Sequence, residues 1–434
     1  MTKIVCMLLL TTFAWALSQP VAFAQREAKA QEPVKTAKLP APAEDVKLAR
    51  NGDLLIAKLE GKKLLAIVDV KAGKLTKTIK TSTADCIFAA GGEKAVVYDA
   101  TASVFTTYSL SDGKRLKAKK SPFTGVVCSM VMGSNNDKFA LLRVAANTDA
   151  LASVEYARLD LETLNGESLE GRPHNSSYRD AEQMRLSADG TFFCAWATSH
   201  SPTGQIVGTV SETAIELQYE HNSVGHILPI PGKHLAVTGN GSVLTSANRV
   251  VKSHGGVSLY PDGTGAFYVG VNGQQVHVYA TGSHQLFNTL NIPLPLDRWG
   301  RSTSVVFPLS NHKVLATLST GRDAFQFYAF DPIGDLENSD LDYLLVLSSP
   351  PTQLEAGTTF EYTPEIATNA KSWSLESLDA PEDAKISDQK ITWNAPKDAV
   401  GEEFEFLLRV TTDNDDEVFL DFKIKVVAKT EEKE

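Results

Sequence analysis

Cysteine is scarce in this chain, four among 434 residues, and no two are spaced as C-x-x-C. A zinc ribbon or a dithiol redox centre built on local spacing is therefore excluded. Cys86, Cys128 and Cys194 lie in the apolar runs DCIFAA, GVVCSMVM and TFFCAWA, so they are expected to be buried small hydrophobes with at most one disulfide among them. Beyond the first twenty residues there is no apolar run of the roughly 18 residues that a membrane helix needs, and no membrane insertion of the mature chain is expected. Also missing are a G-x-S-x-G elbow, an H-E-x-x-H pair and a G-x-x-x-x-G-K-[ST] loop, which leaves serine hydrolase, zincin and P-loop chemistry without local support. Positive charge is sparse at the C-terminal end: residues 348–434 hold 20 acidic and 9 basic side chains, a net of −11. With +1 in the first 24 residues and −10 overall, the stretch 25–347 is neutral in sum. Neither part has the basic excess that steers nucleic acid, and no nucleic-acid partner is expected.

What the chain does have is a recurring phrase: an apolar run, a turn, and a second apolar run. VKLARNGDLLIAK, IFAAGGEKAVVY, MRLSADGTFFCAW and VSLYPDGTGAFYV are the clearest copies, and VMGSNNDKFALLR, ILPIPGKHLAV and VVFPLSNHKVLATL are weaker ones. The apolar residues before the turns, Leu48, Phe88, Met132, Leu186, Leu228, Leu259 and Phe307, are separated by 31 to 54 residues, which brackets the length of a four-stranded propeller blade. Asn-Gly and Asp-Gly between apolar runs favour tight hairpins, because these residues tolerate positive φ. The expectation is an all-β chain: a seven-bladed β-propeller over 44–347 followed by a small C-terminal β-sandwich over 352–428.

The ends read differently. Lys3, the apolar stretch Ile4 to Leu17 and the small-x-small triplet Ala22-Phe23-Ala24 have the form of a secretory signal over 1–24, so the chain is expected to be exported to the periplasm or the cell exterior. Residues 25–43 lack a core pattern and are expected to be a disordered leader. Pro350 and Pro351 separate the last copy from FEYTPEI, KSWSLESL, KITWNAP, EFEFLLRVTT and VFLDFKIKVV, five runs with strand-like alternation in a segment of sandwich size. A charged tail occupies 429–434.

Two resemblances follow. GTTFEY, ITWNAP, Val400-Gly401, LLRVTTDNDDE and FKIKV resemble bacterial immunoglobulin-like modules of the dystroglycan-type cadherin-like group, which implies a module for adhesion, spacing or partner contact. RLSADGTFFCAW and SLYPDGTGAFYV are similar to the WD40-like and YVTN-like bacterial propellers, although no Trp-Asp pair closes a repeat and no YVTN tetrad occurs.

Function is expected in the irregular loops between copies. GRPHNSSYRDAEQ carries Arg172, His174, Tyr178, Arg179 and Asp180; YEHNSVGH carries His221 and His226; LDRWGRS carries Asp297, Arg298, Trp299 and Arg301; STGRDA carries Arg322 and Asp323. Arginines with Trp299 and Tyr178 suit recognition of a protein or glycan partner by a non-catalytic binding or scaffold protein. The alternative is a propeller hydrolase or lyase acting on polysaccharide or a small lactone, with His174, Asp180, Asp297 or His226 as acid or base. No cofactor is expected; the acidic turn at Asp413, Asp415 and Asp416 is read as solvated, with calcium as the alternative.

Overall fold

A computed structural model describes residues 30–149, 152–171, 182–197, 201–298, 301–302 and 305–429. The signal expected over 1–24 lies outside the described residues. Among them, seven four-stranded antiparallel sheets follow one another around a β-propeller. The first six sheets span 43–80, 86–120, 126–168, 182–220, 227–253 and 258–291, each with its four strands in chain order from the channel outward. The apolar residues that mark the repeat lie on, or one residue beyond, the inner strand of each sheet; Leu48 falls in Ala43–Ala49 and Leu259 in Ser258–Pro261.

The last sheet is built otherwise. Val306–Leu309, Val314–Leu318 and Ala324–Ala329 supply three strands, and the outer fourth is Lys35–Lys38, paired antiparallel with Lys35 opposite Phe327. The disordered leader expected over 25–43 is thus corrected: part of it is a strand, and Ala37, Leu39 and Ala43 are buried with Phe325 and Phe327 in the core between the last and first sheets. The run KTAK is too short to show a period. It is held by the open edge that a three-stranded sheet offers, where each unpaired backbone group gains a hydrogen bond.

Between adjacent sheets the cores are aliphatic and aromatic. The inner ends are locked by turns: Arg50 N–H donates to Gly91 O at 3.0 Å, Asn135 N–H to Ala188 O at 2.9 Å, and Gly263 N–H to Pro308 O at 3.0 Å, each joining one sheet to the next. Asn51 N–H reaches Ser134 O in the third sheet at 3.2 Å, so the turns pinch this end of the channel. A side chain at Gly91 would sit 2.1 Å from Asn136 O, which explains the glycine without appeal to φ. In the sixth copy the positive φ is at Gly265 and not at the Asp-Gly pair. Asp262 instead points inward, fully buried, and accepts from Thr264 N at 3.0 Å, Ser310 N at 2.8 Å and Ser310 Oγ at 2.7 Å, stapling the sixth sheet to the seventh.

Helix Pro332–Glu337, capped by Asp331, leads from the propeller to Leu344–Val346. That strand pairs with Ile366–Thr368 of the C-terminal segment, so association with that segment begins before the expected division at the Ser-Ser-Pro-Pro run. All five runs read there as strand-like lie on strands. Glu403–Thr412 and Glu417–Val427 form a long hairpin flanked by Trp373–Asp379 and Gln353–Glu355, and the three-stranded sheet of Thr359–Tyr362, Lys390–Asn394 and Lys385–Ser387 covers its inner face. Phe360, Trp393, Phe406 and Phe422 fill the space between, with Phe406 and Phe422 stacked at 5.0 Å. Each such ring contributes about 1.5–3 kcal/mol by leaving water. Cys86, Cys128 and Cys194 are free thiols on three different sheets, and burial pushes Cys86 and Cys194 above the usual thiol range.

One ionic contact is fully enclosed. Arg143 Nε of the third sheet lies 3.5 Å from Glu182 Oε1 of the fourth, and Tyr156 donates its hydroxyl to the same oxygen at 2.7 Å. Burial raises both the Glu182 and the Tyr156 pKa, with Arg143 opposing the rise at each. Replacing Glu182 with Leu removes a carboxylate facing the buried Arg143 and the acceptor of the Tyr156 hydroxyl, and urea unfolding should show a loss of about 3–5 kcal/mol; Glu182→Gln, which keeps an acceptor for Tyr156, should lose less.

A second network has a pH signature. Tyr268 hydroxyl meets His254 Nε2 at 2.8 Å and His284 Nδ1 at 3.1 Å, with the Tyr279 ring tilted against His254 at 4.1 Å. Burial, assisted by Lys252 and His284, lowers the His254 pKa to about 4. The folded state thus leaves unprotonated a ring that the unfolded chain protonates below about 6.5. The stability this costs is absent above about 6.5, grows as pH falls toward 4, and is constant below. Thermal melts between these pH values should fall progressively, and His254→Gln should make the fall shallower.

Candidate functional site

The seven inner strands leave a channel, and its lining is set by what they carry. AEDVKLA on the first sheet contributes Asp45 and Lys47, EQMRL on the fourth contributes Arg185, and His226 and Tyr260 come from the fifth and sixth. Lys47 Nζ contacts Asp45 Oδ2 at 2.8 Å and lies 5.8 Å from the Phe88 ring centre. Across the channel, Arg185 donates to Met184 O at 2.7 Å with its guanidinium 5.4 Å from the Trp196 ring centre. His226 Nε2 is 2.8 Å from Leu259 O, and since a carbonyl only accepts, Nε2 carries the proton. The His226 ring lies 4.8 Å from Tyr260.

These groups are deep and yet wet: 17 % of the Lys47 side chain and 42 % of that of Asp45 still touch solvent. Burial lowers the Lys47 pKa against the pull of Asp45, and it lowers that of Arg185. For Asp45, burial works upward, but Lys47 and Arg185 outweigh it and hold the carboxyl below its ordinary value. Burial, with the Arg185 charge beside it, keeps His226 below the usual imidazole range, and burial pushes Tyr260 up to about 12. Among the described residues, Lys47 and Arg185 thus face the carboxylate of Asp45, with a neutral imidazole and a neutral phenol beside them. Such a lining favours an anionic group entering from solvent.

Of the residues nominated from the loops, Arg172, His174, Tyr178, Arg179, Asp180 and Trp299 lie outside the described residues. The rest do not form one group. His221 is exposed and bonded to the Tyr219 hydroxyl at 2.9 Å. Asp297 Oδ1 accepts from Arg301 N at 2.9 Å inside its own turn, and Arg298 is exposed. Arg322 bonds the Ala43 carbonyl at 2.6 Å and the Glu44 carbonyl at 3.1 Å, so it ties the last sheet to the first, while Asp323 accepts from Ser319 Oγ at 2.8 Å. Among the described nominees, His226 is the one that lies beside the channel-lining Tyr260. Asp45, Lys47, Arg185 and Tyr260 escaped the sequence reading because it looked between the strands; the signal was charge within runs whose place next to the channel the repeat already implied.

The pinched end carries a different set. A hollow of about 460 Å³ there is lined by Arg50, Asn51, Asp53, Glu93 and Asp137 among others. Arg50 pairs with Glu93, Asp137 accepts from the Glu93 and Lys94 N–H groups, and His312 Nε2 lies 2.8 Å from Asp53 Oδ1. Each contact joins two sheets, and the Asp53 side chain is more than half exposed. No three His, Cys, Asp or Glu side chains among the described residues gather to hold a metal. At the acidic turn Asp413 accepts from Ser372 N at 3.2 Å.

No family model matches the sequence, and no curated protein matches it. Solved structures similar to it include the Swd1 (Cps50) β-propeller domain of Myceliophteria thermophila, at 12% identity and TM-score 0.48 over 69% of this chain and 99% of that one. Hydrazine synthase of Kuenenia stuttgartiensis matches at 12% identity and TM-score 0.47 over 68% of this chain and 97% of that one. Raptor of Chaetomium thermophilum matches at 9% identity and TM-score 0.48, over 69% of this chain and 29% of that one.

Proposed function

We propose that this chain is an exported, non-catalytic binding or scaffold protein, with its seven sheets as seven blades and an immunoglobulin-like module as the C-terminal spacer. The end of the channel opposite the pinched one takes an anionic group of a protein or glycan partner. The observation that carries this reading is the convergence of Lys47 and Arg185 on one carboxylate in a wet channel. A catalytic alternative would need an acid and a base facing one substrate. Among the described residues no carboxylate acts on His226, and it spends its proton on a backbone carbonyl. The His312–Asp53 contact is the one observation that favours the rival hydrolase or lyase, and His312→Ala abolishing turnover of a polysaccharide or lactone would establish it.

Crosslinking capture from a periplasmic extract tests the binding reading. Arg185→Met removes the guanidinium while keeping apolar bulk beside Trp196. The variant should lose the captured partner with its melting point moved by no more than about 2–4 °C; undiminished capture by the variant would reject the channel mouth as the site.

A further inference from the structure

Three neighbouring outer edges of the propeller carry one sign of charge. The outer strands of the seventh, first and second sheets read KTAK, KLTKTIK and RLKAKK: nine cations in seventeen residues and no carboxylate. They adjoin in space, since Lys35 Nζ of the first of these strands bonds Lys71 O beside the second at 2.5 Å and Lys77 of the second bonds Ser111 O beside the third. The strands are exposed apart from Ala37, Ile79 and partly Leu75 and Ala118. None of the nine makes an ion pair among the described residues. Those with bonds spend them on neutral oxygens, as Lys117 does on Glu162 O at 2.7 Å and Lys120 on Ala102 O at 2.6 Å.

Lysine on an edge strand guards against edge-to-edge pairing, but that duty falls on every edge equally. The outer strands of the third to sixth sheets read GES, IELQYE, VVKS and LFNTLN, with three glutamates and one lysine. Protection of edges therefore does not account for cations confined to one arc.

The geometry points to this arc as a docking surface for a linear acidic polysaccharide, lying along the outer wall and separate from the channel. Charge complementarity gives the sign of the ligand, and eight of the nine cations are lysines, point charges suited to a diffuse polyanion more than to bidentate recognition of one group. The shape excludes a plane: successive edges face outward around a ring, so a membrane meets one edge at a time, whereas a flexible chain can follow all three. The three strands contain no aromatic residue on which bases could stack, which disfavours single-stranded nucleic acid.

Calorimetry of the full chain with an alginate oligomer, a linear polyuronate, tests this against dextran, phosphatidylglycerol vesicles and oligo-thymidine. Alginate should bind saturably, and raising salt from about 50 to about 300 mM should weaken it at least about tenfold, as charge pairing requires. Lys74→Ser, Lys80→Ser and Arg115→Ser together, all at exposed positions, should weaken it by about tenfold with an unchanged melting point. Arg185→Met in the channel should leave it unaltered, which separates this site from the channel mouth. No binding of alginate, equal binding of dextran, unchanged affinity in the triple variant, or tighter binding to vesicles or to oligo-thymidine would each overturn the assignment.

Discussion

Ring closure is the constraint on which the rest of the molecule depends. Lys35 pairs with Phe327 across nearly 300 residues, and the chain-entropy cost of such a closure is about 5 kcal/mol beyond the constant for short loops. Several contacts offset it together. The N-terminal strand caps the open edge, Arg322 binds two carbonyls at the start of the first sheet, His312 meets Asp53, and Leu55, Leu59, Phe325 and Phe327 share one core. Without closure the first and last sheets would each expose an apolar face. The other inter-sheet turns would then hold an open arc with no common centre.

A closed ring also sets what the inner strands can carry. In a two-layer sandwich a lysine among inward residues would face a dry core, where its charge is costly. Here the inner strand of each sheet borders water on one edge and packed neighbours on its faces, so Lys47 keeps Asp45 as its ion-pair partner and Arg185 a backbone acceptor, although burial lowers the pKa of both. The enclosed Arg143–Glu182 contact shows the opposite regime, with no solvent and a tyrosine completing the acceptor. The same side-chain types are structural in one setting and available to a ligand in the other, and access to water is what separates them.

The repeat was legible because its period is long and its apolar runs are strong: each marker residue falls at an inner strand, and the C-terminal runs fall on strands whose inward residues alternate. The closing strand was not legible, since four residues with two lysines have no period of their own and are ordered by a partner far along the chain. Asp262 was read as a turn former, while its burial against Ser310 is a tertiary fact. Among the candidate site residues that are described, His226 lies beside the channel, Asp297 bonds within its own turn and Arg322 ties the last sheet to the first. Among the described residues, charge at Asp45 and Lys47 of AEDVKLA and at Arg185 of EQMRL marks the channel.

Net charge is the other place where a sum conceals an arrangement. Residues 25–347 are neutral overall, and on that count a polyanion would gain nothing by approach. Screening in physiological salt, however, limits a charge to a neighbourhood of about 8 Å. A ligand at the outer wall then senses the three lysine-rich edges and not the glutamates of Ile215–Glu220 or the acidic C-terminal hairpin. What decides binding at this range is the sign of each edge in turn. The order of sheets around a closed ring, with an N-terminal strand inserted between the last strand and solvent, is what sets three edges of like sign side by side.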